Sequence, residues 1–328
     1  MKKLCVLFVA VLMATPALAA DLAKAKAEGK VNFYANITAV EPIMEAFSKA
    51  KGIEGVYRRI STSKYLATVL TEFEAGKLSA DVLQSPMPVM EALKAKGVFT
   101  PYTSPSAAGY PAWARKDNTI MEFGIEYVAP IYNKDLVKAA DAPKTYMDLI
   151  NKKWYDKIVM PDPSSHATTI SWLVGMKESG IFASDAEWMK FVKGLAANKP
   201  MFVKSFGPSP GPVESGEKLI AISMPKYIIS HAPAPLDWCR VSTILGTPRG
   251  IAIAANAPHP EAARVFMDYW LSKDAMQLLA DKVGEYVLAP GVFPPIAGMD
   301  MPKVLPIRTL SNDEIKSWGK KFQKIFFE

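Results

Sequence analysis

The chain is poor in cysteine and histidine, with two of the first and three of the second among its 328 residues. Cys5 lies inside an N-terminal stretch that reads as removable, so Cys239 stands alone and an internal disulfide is excluded. Its apolar setting, Leu236-Asp237-Trp238-Cys239, points to a small buried hydrophobe rather than a nucleophile. No Cys/His pair has a recognised metal or catalytic spacing, and neither H-E-x-x-H nor a P-loop is present. No cofactor is therefore expected. Runs of Lys and Arg of the kind that track nucleic acid are missing too, which removes that partner class. The formal charge of +7 is scattered, which suits solubility and an acidic partner.

Long apolar runs are scarce as well. One stands near the start: Lys2 and Lys3 precede the apolar residues 4–13, followed by Pro16 and the small-residue pattern Ala17-Leu18-Ala19. This is the layout of a signal peptide over residues 1–19, cleaved after Ala19. The run is short for a bilayer, and no later run could span one, so export and release are expected. Cys5 precedes the run and is no lipid-attachment site.

The rest alternates strand-like and helix-like pieces. Residues 31–35, 55–60 and 81–83 read as strands; 41–51, 65–75 and 88–96 carry a helical period, the last stopped by Gly97. Residues 127–132, 157–160, 219–223 and 251–254 read as buried strands, the last after a turn at Thr247-Pro248-Arg249-Gly250. Further helices are expected over 168–178, 185–196, 260–271, 272–282 and 312–326, beyond a proline-rich tail that wraps the surface. Strand–helix–strand spacing of this kind predicts an α/β fold with a largely parallel sheet and helices on both faces.

Several segments carry a family resemblance. They are Lys77-Leu78-Ser79-Ala80-Asp81-Val82, Ala142-Pro143-Lys144-Thr145-Tyr146-Met147-Asp148-Leu149, residues 154–163, and Ala257-Pro258-His259-Pro260-Glu261-Ala262-Ala263. In order and spacing they resemble the periplasmic solute-binding proteins of ABC importers, in the group that includes ferric-ion-binding proteins. That resemblance implies a two-lobed periplasmic binding protein type 2 fold with hinge strands and a central ligand cleft. It implies one lobe from 20–124 plus 243–328, with part of the tail on the other lobe, and a second lobe from 125–242. The hinges would lie near 123–130 and 238–244. The implied protein is a periplasmic monomer that closes on its solute and delivers it to an inner-membrane permease. A chemoreceptor partner would need no different sequence. An enzyme on the same fold is the alternative of another class.

Ligands in open α/β sheets lie beyond the carboxyl ends of strands. The loops there hold Asn36 and Thr38; Ser61, Thr62 and Ser63; Gln84 and Ser85; Ser165, His166 and Ala167; Ser205 and Phe206; and Lys226 and Tyr227. Hydroxyl-rich helix starts favour an anion, although ordinary N-capping uses the same residues. Tyr227, with Tyr127 or Phe206, could pack on an organic body. The ferric members resemble one another in a tyrosine pair, a histidine after the first strand and a carboxylate after the third. Here those positions fall on Lys226-Tyr227, near Thr38 and on Pro86. Ferric iron wants anionic oxygen donors, and a protonated lysine offers none. The expected solute is a small organic anion, with Tyr227 as the one candidate ligand if iron binds after all.

Overall fold

The computed structural model describes residues 20–115 and 118–328. The expected export signal lies outside the described residues. The helices are α1 (Leu22–Glu28), α2 (Glu41–Lys51), α3 (Thr62–Glu74), α4 (Met87–Lys94), α5 (Ala167–Glu178), α6 (Asp185–Ala197), α7 (Gly211–Glu214), α8 (Tyr227–Ser230), α9 (Pro260–Trp270), α10 (Lys273–Val283) and α11 (Asn312–Phe327). The strands are β1 (Lys30–Ala35), β2 (Glu54–Arg59), β3 (Val82–Pro86), β4 (Phe99–Thr100), β5 (Met121–Asn133), β6 (Ile158–Pro161), β7 (Met201–Val203), β8 (Ile220–Ser223), β9 (Leu236–Trp238), β10 (Thr243–Ala254), β11 (Tyr286–Val287) and β12 (Lys303–Pro306).

The main strand order is β2-β1-β3-β10-β5-β8-β6-β7. Strands β1, β2 and β3 run parallel, as do β6, β7 and β8, with helices between them. The two long strands β5 and β10 join these halves and pair antiparallel from Leu245 opposite Val128 to Ile251 opposite Met121. They are the connecting strands that the resemblance implied. The second crossing lies further along than expected, because 236–238 pairs with the far end of β5 as β9. The expected turn at 247–250 is absent. Those residues run straight through β10, and the chain accommodates Pro248 beside a register shift between Arg249 and Gly250.

Local chemistry accounts for the elements that set the site. Helix α2 buries Ile43, Met44 and Phe47 on one face, has Pro42 in its first turn and stops at left-handed Gly52. Phe33 of β1 lies 5.0 Å from Phe266 and 4.9 Å from Trp270 between ring centroids, so α9 is keyed to the sheet by aromatic packing. Burying such a side chain contributes about 1.5–3 kcal/mol. Gly246 permits the close crossing of β5 and β10, since a Cβ there would clash with the Glu126 carbonyl oxygen.

Two apolar cores lie in the first half, one around Phe33, Phe266 and Trp270 and one around Tyr65, Leu83 and Met90; a third fills the second half and extends to Ile296, Ile307, Leu310 and Phe322 of the tail. The tail therefore does more than wrap the surface. Strand β12 pairs parallel with β10, and Trp318 of α11 meets Trp188 of α6 edge-on at 5.7 Å. No helix among the described residues is long and apolar enough to cross a membrane.

Candidate functional site

Parallel pairing brings the carboxyl ends of β1, β2 and β3 to one edge. Asn36 follows β1, and its Nδ2 donates to the Thr62 hydroxyl at the start of α3 (2.8 Å). Ser61 caps that helix in an extended conformation, and Ser63 is its second residue. The Ile37 amide donates to Gln84 Oε1 at 3.2 Å. Gln84 and Ser85 are wholly buried at the end of β3, and Gln84 Nε2 and Ser85 Oγ have no hydrogen-bond partner among the described residues. A buried polar atom left unpaired costs about 1–3 kcal/mol, so these two stand out. Thr38 is exposed, beside Ala39 in the left-handed region at φ 61°. That conformation is strained for alanine.

A buried ionic cluster forms the floor between the halves. Arg249 of β10 is 2 % exposed and Glu285 is 1 % exposed. Arg249 Nε donates to Glu285 Oε2 at 3.2 Å, and Arg249 Nη1 to Asn36 Oδ1 at 3.2 Å. Arg249 Nη2 lies 2.7 Å from Glu126 Oε1. From the other side, Lys226 Nζ donates to Glu285 Oε1 at 2.9 Å. Strand register makes this cluster: Arg249 stands opposite Gly124, while Tyr286 pairs with Ile125 on the opposite edge of β5. Burial opposes ionisation of Glu285, but Arg249 and Lys226 outweigh it and hold the carboxyl below the usual range. Gly284 lets Lys226 approach, because it sits at φ 74° and a Cβ there would come within 2.8 Å of the Lys226 carbonyl oxygen.

The second half supplies the facing wall. His166 caps α5, its Nδ1 accepting from the Thr169 amide at 3.3 Å, and its ring meets Phe206 edge-on at 5.2 Å. Burial, opposed by the Asp162 carboxylate, lowers its pKa to about 4, so the ring is neutral near pH 7. The Ser165 hydroxyl donates to Asp162 at 2.9 Å, and Ala167 is exposed in the first turn of α5. A Cβ on Gly207 would stand 4.0 Å from both Ser205 Oγ and the Tyr227 hydroxyl, so those two side chains converge on one loop. Burial first, then Glu126 and Glu285, push the Tyr227 phenol well above its ordinary range.

The structure thus joins Asn36, Thr62, Lys226 and Tyr227 through groups that the sequence reading missed: Arg249, Glu126 and Glu285. The assignment of Arg249 to a turn hid it, and nothing local to Glu285 marks a buried acid. Tyr127, expected beside the ligand, is 1 % exposed and donates to the Gly284 carbonyl at 2.7 Å. It braces the end of α10. Lys226, expected as the cation of the site, has its ammonium committed to Glu285. The spacing G-x-S-x-G stands at Gly207-Pro208-Ser209-Pro210-Gly211. Its serine is wholly buried, donates to the Phe206 carbonyl at 2.7 Å and lies 2.7 Å from Ser223 Oγ, which is no exposed nucleophile elbow. Cys239 is buried, and its thiol is pushed up by burial and by Asp237. Among the described residues no group of three or more His, Cys, Asp or Glu side chains could hold a metal ion.

Two α/β lobes joined by long crossing strands, with a polar floor between them, define the type 2 periplasmic binding architecture. The chain belongs to the bacterial extracellular solute-binding protein family, whose profile matches residues 42–300. That is a family of solute-binding proteins, not enzymes. A probable ABC transporter periplasmic-binding protein, y4fP of Sinorhizobium fredii, is 27 % identical over 217 residues, covering 61 % of this chain and 58 % of that protein. Among solved structures, the substrate-binding protein of an ABC transporter from Agrobacterium tumefaciens gives a TM-score of 0.73 at 17 % identity, covering 91 % of this chain and 96 % of that one. Iron-bound HitA from Pseudomonas aeruginosa gives 0.68 at 18 % identity, covering 91 % and 99 %. The periplasmic binding protein AfuA from Actinobacillus pleuropneumoniae, with fructose-6-phosphate bound, gives 0.64 at 17 % identity, covering 91 % and 96 %.

Proposed function

We propose that this protein is the periplasmic component of an ABC importer and captures a small organic anion between its lobes. In this reading residues 20–124 and the segment that follows β10 form one lobe, and 125–242 with the C-terminal tail form the other. Closure would bend β5 and β10, bury the solute and present a joint surface to a membrane permease.

The observation that carries the choice of cargo is Lys226. In the resemblance to ferric-binding proteins this position belongs to a tyrosine pair. Here an ammonium fills it, 2.9 Å from Glu285 and 5.8 Å from the Tyr227 ring centre. A ferric ion would meet a cation where it needs an anionic oxygen, and the adjacent carboxylate is already neutralised. Tyr227 resists the deprotonation that iron requires. The relatives of this fold hold iron in one case and a sugar phosphate in another, so the side chains must decide. First-turn backbone amides at two helix starts, at Thr62 and at Ala167, support an anion that brings its own charge.

Native mass spectrometry of the purified protein tests this directly. A small anionic compound is expected to co-purify. A thermal-shift screen extends the test: an anion at 100 times its dissociation constant adds about 2.7 kcal/mol of stability. A visible tyrosinate-to-iron absorption band, with no anion shifting the melting point, would overturn the reading in favour of iron.

A further inference from the structure

The cleft floor carries no spare positive charge. Arg249 and Lys226 face Glu126 and Glu285, two cations against two carboxylates. Lys226 is bonded to Glu285, and the three guanidinium nitrogens of Arg249 reach Glu285, Asn36 and Glu126. Glu126 differs from the other three. Its side chain is 13 % exposed, against 11 % for Lys226, 2 % for Arg249 and 1 % for Glu285. Its Oε1 lies 2.7 Å from Arg249 Nη2. Oε2 accepts no hydrogen bond among the described residues, and it is not among the wholly buried atoms that lack a partner, so it keeps some contact with solvent. Glu126 also lies within electrostatic reach of the Tyr227 phenol and, after burial, helps to raise its pKa.

We infer that the solute is a zwitterion: besides its anionic group it carries a protonated amine that docks on Glu126 Oε2, beside Tyr227. The inference rests on the anion reading above and deepens it. An anionic group at the floor would meet a carboxylate oxygen whose neighbouring cations are already used. The anion is therefore held at the helix starts, and the floor asks for a donor. An ammonium suits it better than a hydroxyl, because a hydrogen bond between two ionised groups is roughly twice as strong as a neutral one. Tyr227 adds an aromatic face of the kind that attracts ammonium groups.

Isothermal titration calorimetry of the full chain against matched pairs decides the matter. The probes are 3-aminopropylphosphonate with propylphosphonate, β-alanine with propionate, and glucosamine 6-phosphate with glucose 6-phosphate. At least one aminated member is expected to bind 10-fold or more tightly than its amine-free partner. In Glu126→Gln that advantage should vanish, and in Glu126→Asp it should persist in weaker form. Melting curves of both variants show whether each is folded. Equal or tighter binding of the amine-free members overturns the zwitterion and leaves the anion reading standing. An undiminished amine preference in folded Glu126→Gln overturns the role of Glu126. Failure of all six probes to bind overturns the anion reading and the inference together.

Discussion

Glu285→Gln is the most informative single perturbation of the floor. The substitution keeps the shape and removes one charge. Glu285 is 1 % exposed and accepts from Lys226 at 2.9 Å and from Arg249 at 3.2 and 3.4 Å. With glutamine there, two cations face the single carboxylate of Glu126. Breaking a buried ion pair in this way costs about 3–5 kcal/mol, chiefly from the uncompensated charge. At about 1.5 °C per kcal/mol for a chain of roughly 300 residues, the melting temperature should fall by roughly 5–8 °C. The double variant Lys226→Met/Glu285→Gln removes a cation and an anion together and leaves Arg249 with Glu126. It should be more stable than the Glu285→Gln protein, a coupling that a double-mutant cycle reads directly. The parent should also depend on pH in one direction. A carboxyl held below its ordinary value of 4.5 contributes stability above that pH and loses it as pH falls through the folded-state value. Circular dichroism melts from pH 3 to 7 measure both effects. A Glu285→Gln melting point within about 2 °C of the parent, or single costs that simply add, would refute the cluster as an electrostatic unit.

Three further outcomes are expected. His166 stays neutral across pH 5–8 because burial lowers its pKa to about 4. Solute affinity should not strengthen as pH drops from 8 to 5 through titration of this ring, and affinities that rise in His-containing protein but not in His166→Gln would contradict that. Gly284→Ala should destabilise by more than the roughly 1–2 kcal/mol of a left-handed alanine, since its Cβ also meets the Lys226 carbonyl oxygen at 2.8 Å; chemical denaturation checks it. Cys239 should ignore a thiol reagent such as Ellman's until the chain unfolds, because it is buried and its thiol is held protonated; rapid labelling of the native protein would count against the packing described.

Amphipathic pieces were plain from the sequence because local periodicity makes them. Helix α2 runs over 41–51 as the spacing of Ile43, Met44 and Phe47 dictates, and α6 and α11 end within one residue of expectation. The missed pieces are those whose partners come from elsewhere. Strand β5 begins at Met121, well before the apolar run at 127; only the family resemblance, with a hinge near 123–130, pointed to its first part, because Glu122, Gly124 and Glu126 are strand residues only by virtue of β10 alongside. Pro248, Arg249 and Gly250 look like a turn in isolation, and pairing with β5 overrides that local preference.

The sequence by itself determined the α/β class, the largely parallel pairing and the set of loops at the strand ends, since each follows from short-range pattern, while the family and its two lobes came from the resemblance of a few segments. Tertiary structure decided what those loops contain. Asn36, Glu126, Lys226, Arg249 and Glu285 are scattered through the chain, and no spacing rule links them. Their charges were visible as residue types. That they pair with one another depends on distances of about 3 Å that only the folded chain sets.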